Sequence, residues 1–190
     1  MKGSFVAGLL ALGVVAGCDQ GGGFVHGEHL ALDDCGDRQS WDPFDMPLTF
    51  LGVIRAEEVV MLRASTTSQW ADNTDSLLIH IACHAQVQAR LAEGGSATLD
   101  VAAGDVSVGL SLMGKCPQSR TPLVAQGGTV TLSSFGTVVG DQITADLVFD
   151  LLDQRTGEVV GQGFEGSLDF EVSAGTPFEL FSDVSRQHGE

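Results

Sequence analysis

Alternation of apolar and polar side chains with a period of two is the feature that most constrains how this chain can fold. It runs through residues 106–112, 143–151 and 164–172, where apolar residues occupy nearly every second position. Successive side chains of a β-strand point to opposite faces, so this pattern places one face of each segment in a core and the other in water. The second half of the chain is therefore predicted to form antiparallel strands.

Five more segments have strand-like composition and are separated by turn residues: 48–54, 59–65, 77–82, 97–101 and 129–133. A short helix is predicted at 84–92, where a run of helix-forming residues ends before Gly94 and Gly95. Short strands at regular spacing favour an all-β fold, here about eight antiparallel strands arranged as a β-sandwich or a small barrel with one short helix. The sequence does not distinguish the two arrangements.

Polar residues and glycines mark two places along the last strands. The segment from Asp153 to Gly157 fits the loop of an antiparallel hairpin.

Gly161, Gly163 and Gly166 match the dinucleotide-binding string, but that motif requires a strand that turns into a helix. These glycines enter an alternating strand, so we predict a bulge or a close crossing there.

The N-terminus has the order of a secretory signal peptide. Lys2 precedes an apolar run of 12 residues, 5–16, whereas a helix needs roughly 20 apolar residues to span a bilayer. The run ends in Val15-Ala16-Gly17-Cys18, which resembles the lipobox of bacterial lipoproteins. The resemblance implies cleavage before Cys18, a thioether from its thiol to diacylglycerol, and fatty acylation (palmitate) of the new amino group.

The predicted organisation has four parts. Residues 1–17 are the signal peptide, 18–40 a lipidated cysteine and a flexible, acidic, glycine-rich tether, 41–182 the β domain and 183–190 a polar tail. A lipobox, an acidic tether and a strand-rich domain with an Asp-x-x-Thr-Gly hairpin loosely resemble uncharacterised predicted lipoproteins of myxobacteria. That resemblance carries no assigned function.

Charge restricts the partners that this chain can bind. It has 25 acidic and 9 basic side chains and a formal net charge of −16. A negatively charged surface repels the phosphate backbone, so nucleic acid is not expected as a partner. The same charge disfavours adhesion of the domain to anionic lipid. We expect the domain to meet the bilayer through acylated Cys18, in the bacterial cell envelope, with inner versus outer membrane left open.

Three cysteines remain if Cys18 is lipidated, so at most one internal disulfide can form. Cys83 continues the apolar series of the strand at 77–82 and is predicted to be a buried thiol. Cys35 and Cys116 occupy loop-like positions, which favours a disulfide between them. A bond between Cys83 and Cys116 is the alternative.

Three constellations could carry chemistry, and each has a simpler interpretation. His26, Glu28 and His29, with Asp33, Asp34 and Asp37 downstream, could ligate a metal, but a flexible tether does not hold ligands in place. His80, Cys83 and His84 lie on a strand that runs into a helix, which does not gather them. Asp72 to Asp75 is an acidic loop without the ligand register of an EF-hand.

No catalytic residue, cofactor site or metal site is predicted. The Gly-x-Ser-x-Gly motif of a nucleophilic serine is absent from the sequence. Cys83 and His84 are adjacent residues, and in most backbone conformations the side chains of adjacent residues point apart. The expectation is a non-catalytic envelope lipoprotein whose β domain binds a partner or has a structural role. The alternatives are an envelope hydrolase of unfamiliar type and a carrier of a small apolar ligand.

Overall fold

The computed structural model describes residues 21–33, 35, 39–56, 58–67, 74–119 and 121–172. These residues form twelve β-strands and one α-helix. In chain order they are β1 (Gly21–Gly27), β2 (Leu30–Leu32), β3 (Gln39–Trp41), β4 (Phe44–Leu48), β5 (Phe50–Ala56), β6 (Val59–Ser65), β7 (Asp75–Ile81), α1 (His84–Gly94), β8 (Ala97–Asp100), β9 (Val106–Leu112), β10 (Leu123–Phe135), β11 (Gln142–Asp153) and β12 (Glu158–Glu171).

Ten of these strands form one antiparallel sheet that curves back on itself. Its order is β4-β1-β12-β11-β10-β9-β7-β6-β5, with β8 paired to β10, while β2 and β3 form a small second sheet. The two ends of that order, β4 and β5, follow each other in the chain through Thr49, whose amide donates to the Ser65 carbonyl at 2.9 Å. The fold is therefore all-β and barrel-like, with the barrel nearly closed.

The predicted alternation fills the inside of this barrel. Along β11, Ile143, Ala145, Leu147, Phe149 and Leu151 are buried. The intervening residues of the strand are exposed or half-buried. All eight predicted strands correspond to observed strands, β5 to β12, and the predicted helix corresponds to α1, which ends at Gly95 with a positive φ of 71°.

The prediction of a flexible tether over 18–40 is wrong for the residues that the structure describes. β1 lies between β4 and β12 in the main sheet, and β2 pairs with β3. The glycines that suggest flexibility permit close strand contact instead: a Cβ at Gly21 would lie 1.9 Å from the Asp169 carbonyl oxygen, and one at Gly23 would lie 2.3 Å from that of Ser167. The folded domain thus includes β1 and does not start at residue 41.

The prediction of a buried Cys83 is also wrong. The inward series of β7 ends at Ile81, and Cys83 is an exposed free thiol at the N-cap of α1 with φ of 58°. The left-handed turn between strand and helix interrupts the alternation on which the prediction depends. His80 is exposed and His84 is the first residue of α1, both as predicted.

Cross-strand register defines two ends of the barrel. Gly21, Phe170, Ile143 and Phe135 pair in one row across β1, β12, β11 and β10, and we call this the proximal end. The hairpin between β11 and β12 lies at the distal end, where β1 also finishes at Gly27. The predicted signal peptide at 1–17, Cys18 and the predicted tail at 183–190 lie outside the described residues, as do Asp34, Asp37, Asp72 and Asn73.

Candidate functional site

A surface groove opens at the distal end, between the β11–β12 hairpin and the segment that joins β1 to β2. It consists of two depressions of about 440 Å³ and about 420 Å³, which share His29, Val159 and Val160. We call them together the distal groove. Ligand pockets in proteins commonly measure a few hundred cubic ångströms, so the groove has the size of a small-molecule or peptide side-chain site.

The distal groove combines an apolar part with charged groups around it. Ala31, Val159 and Val160 supply apolar surface. The charged and polar lining residues are His29, Glu28, Asp33, Asp153, Arg155, Thr156, Glu158 and Gln162. Such a mixture suits a ligand that buries one apolar portion and is oriented by hydrogen bonds.

Asp153 and Arg155 form a polar pair of the groove that is joined by three hydrogen bonds. The guanidinium Nη2 lies 2.7 Å from Oδ2 of Asp153, and Nε lies 3.2 Å from Oδ1, which also accepts the Arg155 backbone amide at 2.9 Å. Asp153 is 5% exposed and ends β11, and the hairpin turn brings Arg155 back over it. These hydrogen bonds from Arg155 hold the pKa of the Asp153 carboxyl below its ordinary value.

The predicted hairpin from Asp153 to Gly157 is confirmed and explains this geometry. The Gly157 amide donates to the Asp153 carbonyl at 2.8 Å, and Gly157 has a positive φ of 74°. A glycine adopts that conformation without a steric cost, so the turn closes tightly. The side chains of Asp153 and Arg155 are thereby placed on the same side of the hairpin.

His29 contributes a second polar pair. Its Nδ1 is hydrogen-bonded to the Asp42 carboxylate, and three residues earlier in the chain Nδ1 of His26 lies 2.7 Å from Oδ1 of Asp45. Both pairs cross from β1 and its following loop to the segment around β4. They orient the imidazoles at an exposed surface.

An aromatic cluster lies beneath this end of the barrel. The Phe164 ring is 5.6 Å from that of Phe44 and 5.8 Å from that of Phe149, and Trp41 contacts Phe44 edge-on at 6.0 Å. Gly27 and Gly161 flank Phe164 so closely that a Cβ at either position would overlap the ring. Gly161 therefore serves close packing within β12, as predicted, with a register shift opposite it, whereas Gly163 has open space around it and a positive φ of 61°.

The disulfide between Cys35 and Cys116 is confirmed and also lies at the distal end. Cys116 follows β9, in a loop whose amides at Gly114 and Lys115 donate to the buried Asp75 carboxylate at 2.8 Å and 2.9 Å. The acidic segment that ends at Asp75 thus fixes a neighbouring loop through this residue. The alternative bond from Cys83 to Cys116 is not formed.

Metal ligands do not converge among the residues that the structure describes, where no group of three or more histidine, cysteine or acidic side chains comes together. His26 and His29 are each paired with a different aspartate. Cys83 lies by a small cavity of about 100 Å³ whose lining includes Arg90 and Asp105. Neither His80 nor His84 is part of that lining.

Comparisons of the chain with protein-family models, with curated proteins and with solved structures return no match. Within the described part of the chain, no helix is long and apolar enough to cross a membrane.

Sequence reasoning missed the distal groove. The pairing of His29 with Asp42 depends on β1 to β4, a region whose composition is that of a tether. The Asp153–Arg155 pair could have been predicted from the sequence, because the two residues lie two positions apart in a predicted hairpin. No sequence pattern indicated that His29 and Ala31 form the opposing wall of the groove.

Proposed function

We propose that the chain is a lipoprotein of the bacterial cell envelope, anchored by acylated Cys18, whose barrel is a non-catalytic domain. Its role is to bind an envelope protein or a small ligand in the distal groove. The observation that carries the proposal is the position of β1, which begins at Gly21, three residues after Cys18, at the end opposite the groove.

This arrangement supports a binding surface that faces away from the membrane. β11 has 12 residues and leads from the proximal end to Asp153, a length of roughly 35–40 Å along the strand. A chain anchored near Gly21 therefore presents the groove beyond the lipid head groups. The disulfide cross-links the groove end and the aromatic cluster packs beneath it, and such constraints lower the entropic cost of binding.

The buried carboxylate of the groove, Asp153, suits a structural role better than general acid catalysis. A general acid that works near neutral pH needs a raised pKa, whereas Arg155 lowers that of Asp153. Asp153 is thus a structural partner of Arg155. The aromatic rings of Phe44, Phe149 and Phe164 are fully buried and fill this end of the barrel, so the surface groove, not the interior, is the place for a ligand.

Membrane fractionation tests the anchor. In the host envelope, the natural protein and a Cys83→Ser control should sediment with membranes and be released by detergent but not by high salt. Cys18→Ser should be soluble or unprocessed, because it cannot accept the lipid. A Cys18→Ser protein that is cleaved to the mature size and still partitions with membranes like the natural protein contradicts the proposal.

Thermal shift tests the groove with the lipid-free chain that starts at residue 19. A ligand from fractionated envelope extracts should raise the Tm of the natural domain and of Val148→Trp, a control on an exposed position of β11. Val159→Trp, which fills the groove, should abolish the shift. Equal shifts in all three proteins contradict binding at this groove.

A further inference from the structure

A tight turn with two exposed valines projects from the proximal end. β10 ends at Phe135 and β11 begins at Gln142, and between them Val138 is 65% exposed and Val139 61% exposed. These are the two most exposed large apolar side chains in the described residues. Turns of this kind are dominated by glycine and polar residues, so two adjacent exposed valines are unusual there.

The turn is well ordered by its own hydrogen bonds. The Asp141 amide donates to the Val138 carbonyl at 2.9 Å, and the Val138 amide donates to Oδ2 of Asp141 at 2.9 Å. Gly140 has a positive φ of 91°, as the third residue of a type II turn requires. The Asp141 carboxylate is turned back onto the backbone, and the two valines form the tip.

This tip lies beside the start of β1. Gly140 and Asp141 exchange hydrogen bonds of 2.8 Å with the backbone of Val172, directly after β12. β12 is the neighbour of β1, and Gly21 pairs with Phe170. Across the sheet from β1 through β12 and β11 to β10, Gly21 is separated from the end of β10 by three inter-strand distances, roughly 14 Å.

We propose that the Val138–Val139 tip inserts into the phospholipid bilayer beside acylated Cys18 and orients the barrel on the membrane. The inference rests on the proposed lipid anchor. Three residues of extended chain reach at most about 11 Å, so an anchor at Cys18 holds Gly21 within reach of the lipid head groups. The valine tip shares that end and offers apolar surface, while the acidic surface of the domain is repelled by anionic lipid.

Single cysteines report the position of the tip. In a Cys83→Ser background with Cys18 intact, Val138→Cys is compared with Gln154→Cys, an exposed position in the distal hairpin. On native membranes, a membrane-impermeant maleimide should label Val138→Cys at least ten-fold more slowly than Gln154→Cys. In the lipid-free chain that starts at residue 19, the two labelling rates should agree within about three-fold.

Each other outcome contradicts the inference for a distinguishable reason. Equal labelling on membranes, with the protein still in the membrane fraction, leaves the lipid anchor standing and overturns insertion of the tip. Slow labelling of Val138→Cys in the lipid-free chain as well means that the chain itself, for example residues 173–190, covers the valines. A natural protein found in the soluble fraction overturns the proposed anchor and this inference with it.

Discussion

Cys35 and Cys116 are joined by a disulfide that connects the β2–β3 segment to the loop after β9, with 5.1 Å between their Cα atoms. The bond spans 81 residues of sequence and lies at the distal end, where the groove opens. It therefore fixes the segment around one wall of the groove to the opposite half of the barrel.

Removal of this disulfide should lower stability substantially. In the chain-entropy treatment, a loop of this length contributes about 4 kcal/mol. We expect Cys35→Ser with Cys116→Ser to reduce the free energy of unfolding by about that amount in urea denaturation of the lipid-free domain. The matched control, Cys83→Ser, alters an exposed free thiol and should change it by less than about 0.5 kcal/mol. A double variant as stable as this control would contradict the role of the bond.

The left-handed conformation of Cys83 predicts that glycine is the better residue there. A side chain at φ of 58° costs about 1 kcal/mol, which glycine avoids. Cys83 also makes no side-chain hydrogen bond as the N-cap of α1, so nothing is lost on replacement. Cys83→Gly should raise the free energy of unfolding by about 0.5 kcal/mol, whereas Cys83→Ala should leave it unchanged. Equal values for the two variants would show that the strain is absent.

Close packing around Phe164 predicts that Gly161 tolerates no side chain. A Cβ at this position would lie 2.4 Å from Cε2 of the ring. Gly161→Ala should therefore destabilise the domain by about 1–3 kcal/mol in chemical denaturation. A Cβ at Gly127 would meet no atom within 4 Å, so Gly127→Ala is the control and should be close to neutral. A neutral Gly161→Ala would argue against the observed packing.

The Asp153–Arg155 pair should make stability depend on pH in the acid range. Arg155 lowers the folded-state pKa of Asp153 below its unfolded value of about 3.9, so the pair stabilises the fold above that pH. This stabilisation is lost as the pH falls through the folded-state pKa. At pH 7, Asp153→Asn should cost roughly 1–2 kcal/mol, and the difference from the natural domain should shrink below about pH 4.

Asp146→Asn, at an exposed position of the same strand, is the control for this pH series. Its difference from the natural domain should stay small across the whole range, because surface charges contribute little. Urea unfolding at several pH values gives both series. A constant cost of Asp153→Asn from about pH 7 to about pH 3 would contradict the pKa shift.

The sequence predicted the fold where the hydrophobic pattern was local and strong. Residues such as Leu147 and Phe149 alternate over a whole strand, and β5 to β12 follow from such patterns. β1 was missed because Gly21 and Gly23 carry no apolar signal, although contact with β12 requires them to be glycine. Cys83 was misplaced because one left-handed residue reverses the face to which the chain points.

The candidate site was less predictable for a physical reason. The distal groove depends on the approach of His29 to the hairpin that carries Arg155, residues far apart in sequence. Only the register of β1 against β12 brings them together. The loop-like positions of Cys35 and Cys116 favoured a disulfide between them. The location of that disulfide beside the groove could not be predicted from the sequence.

Intact mass spectrometry of the natural protein extracted from host membranes tests the central claim most directly. The account predicts a chain that starts at Cys18 with the added mass of diacylglycerol and an acyl group. Two further thiols, those of Cys35 and Cys116, should become alkylatable only after reduction. An unmodified N-terminus, or cleavage at another residue, would contradict the lipid anchor and the orientation of the groove that follows from it.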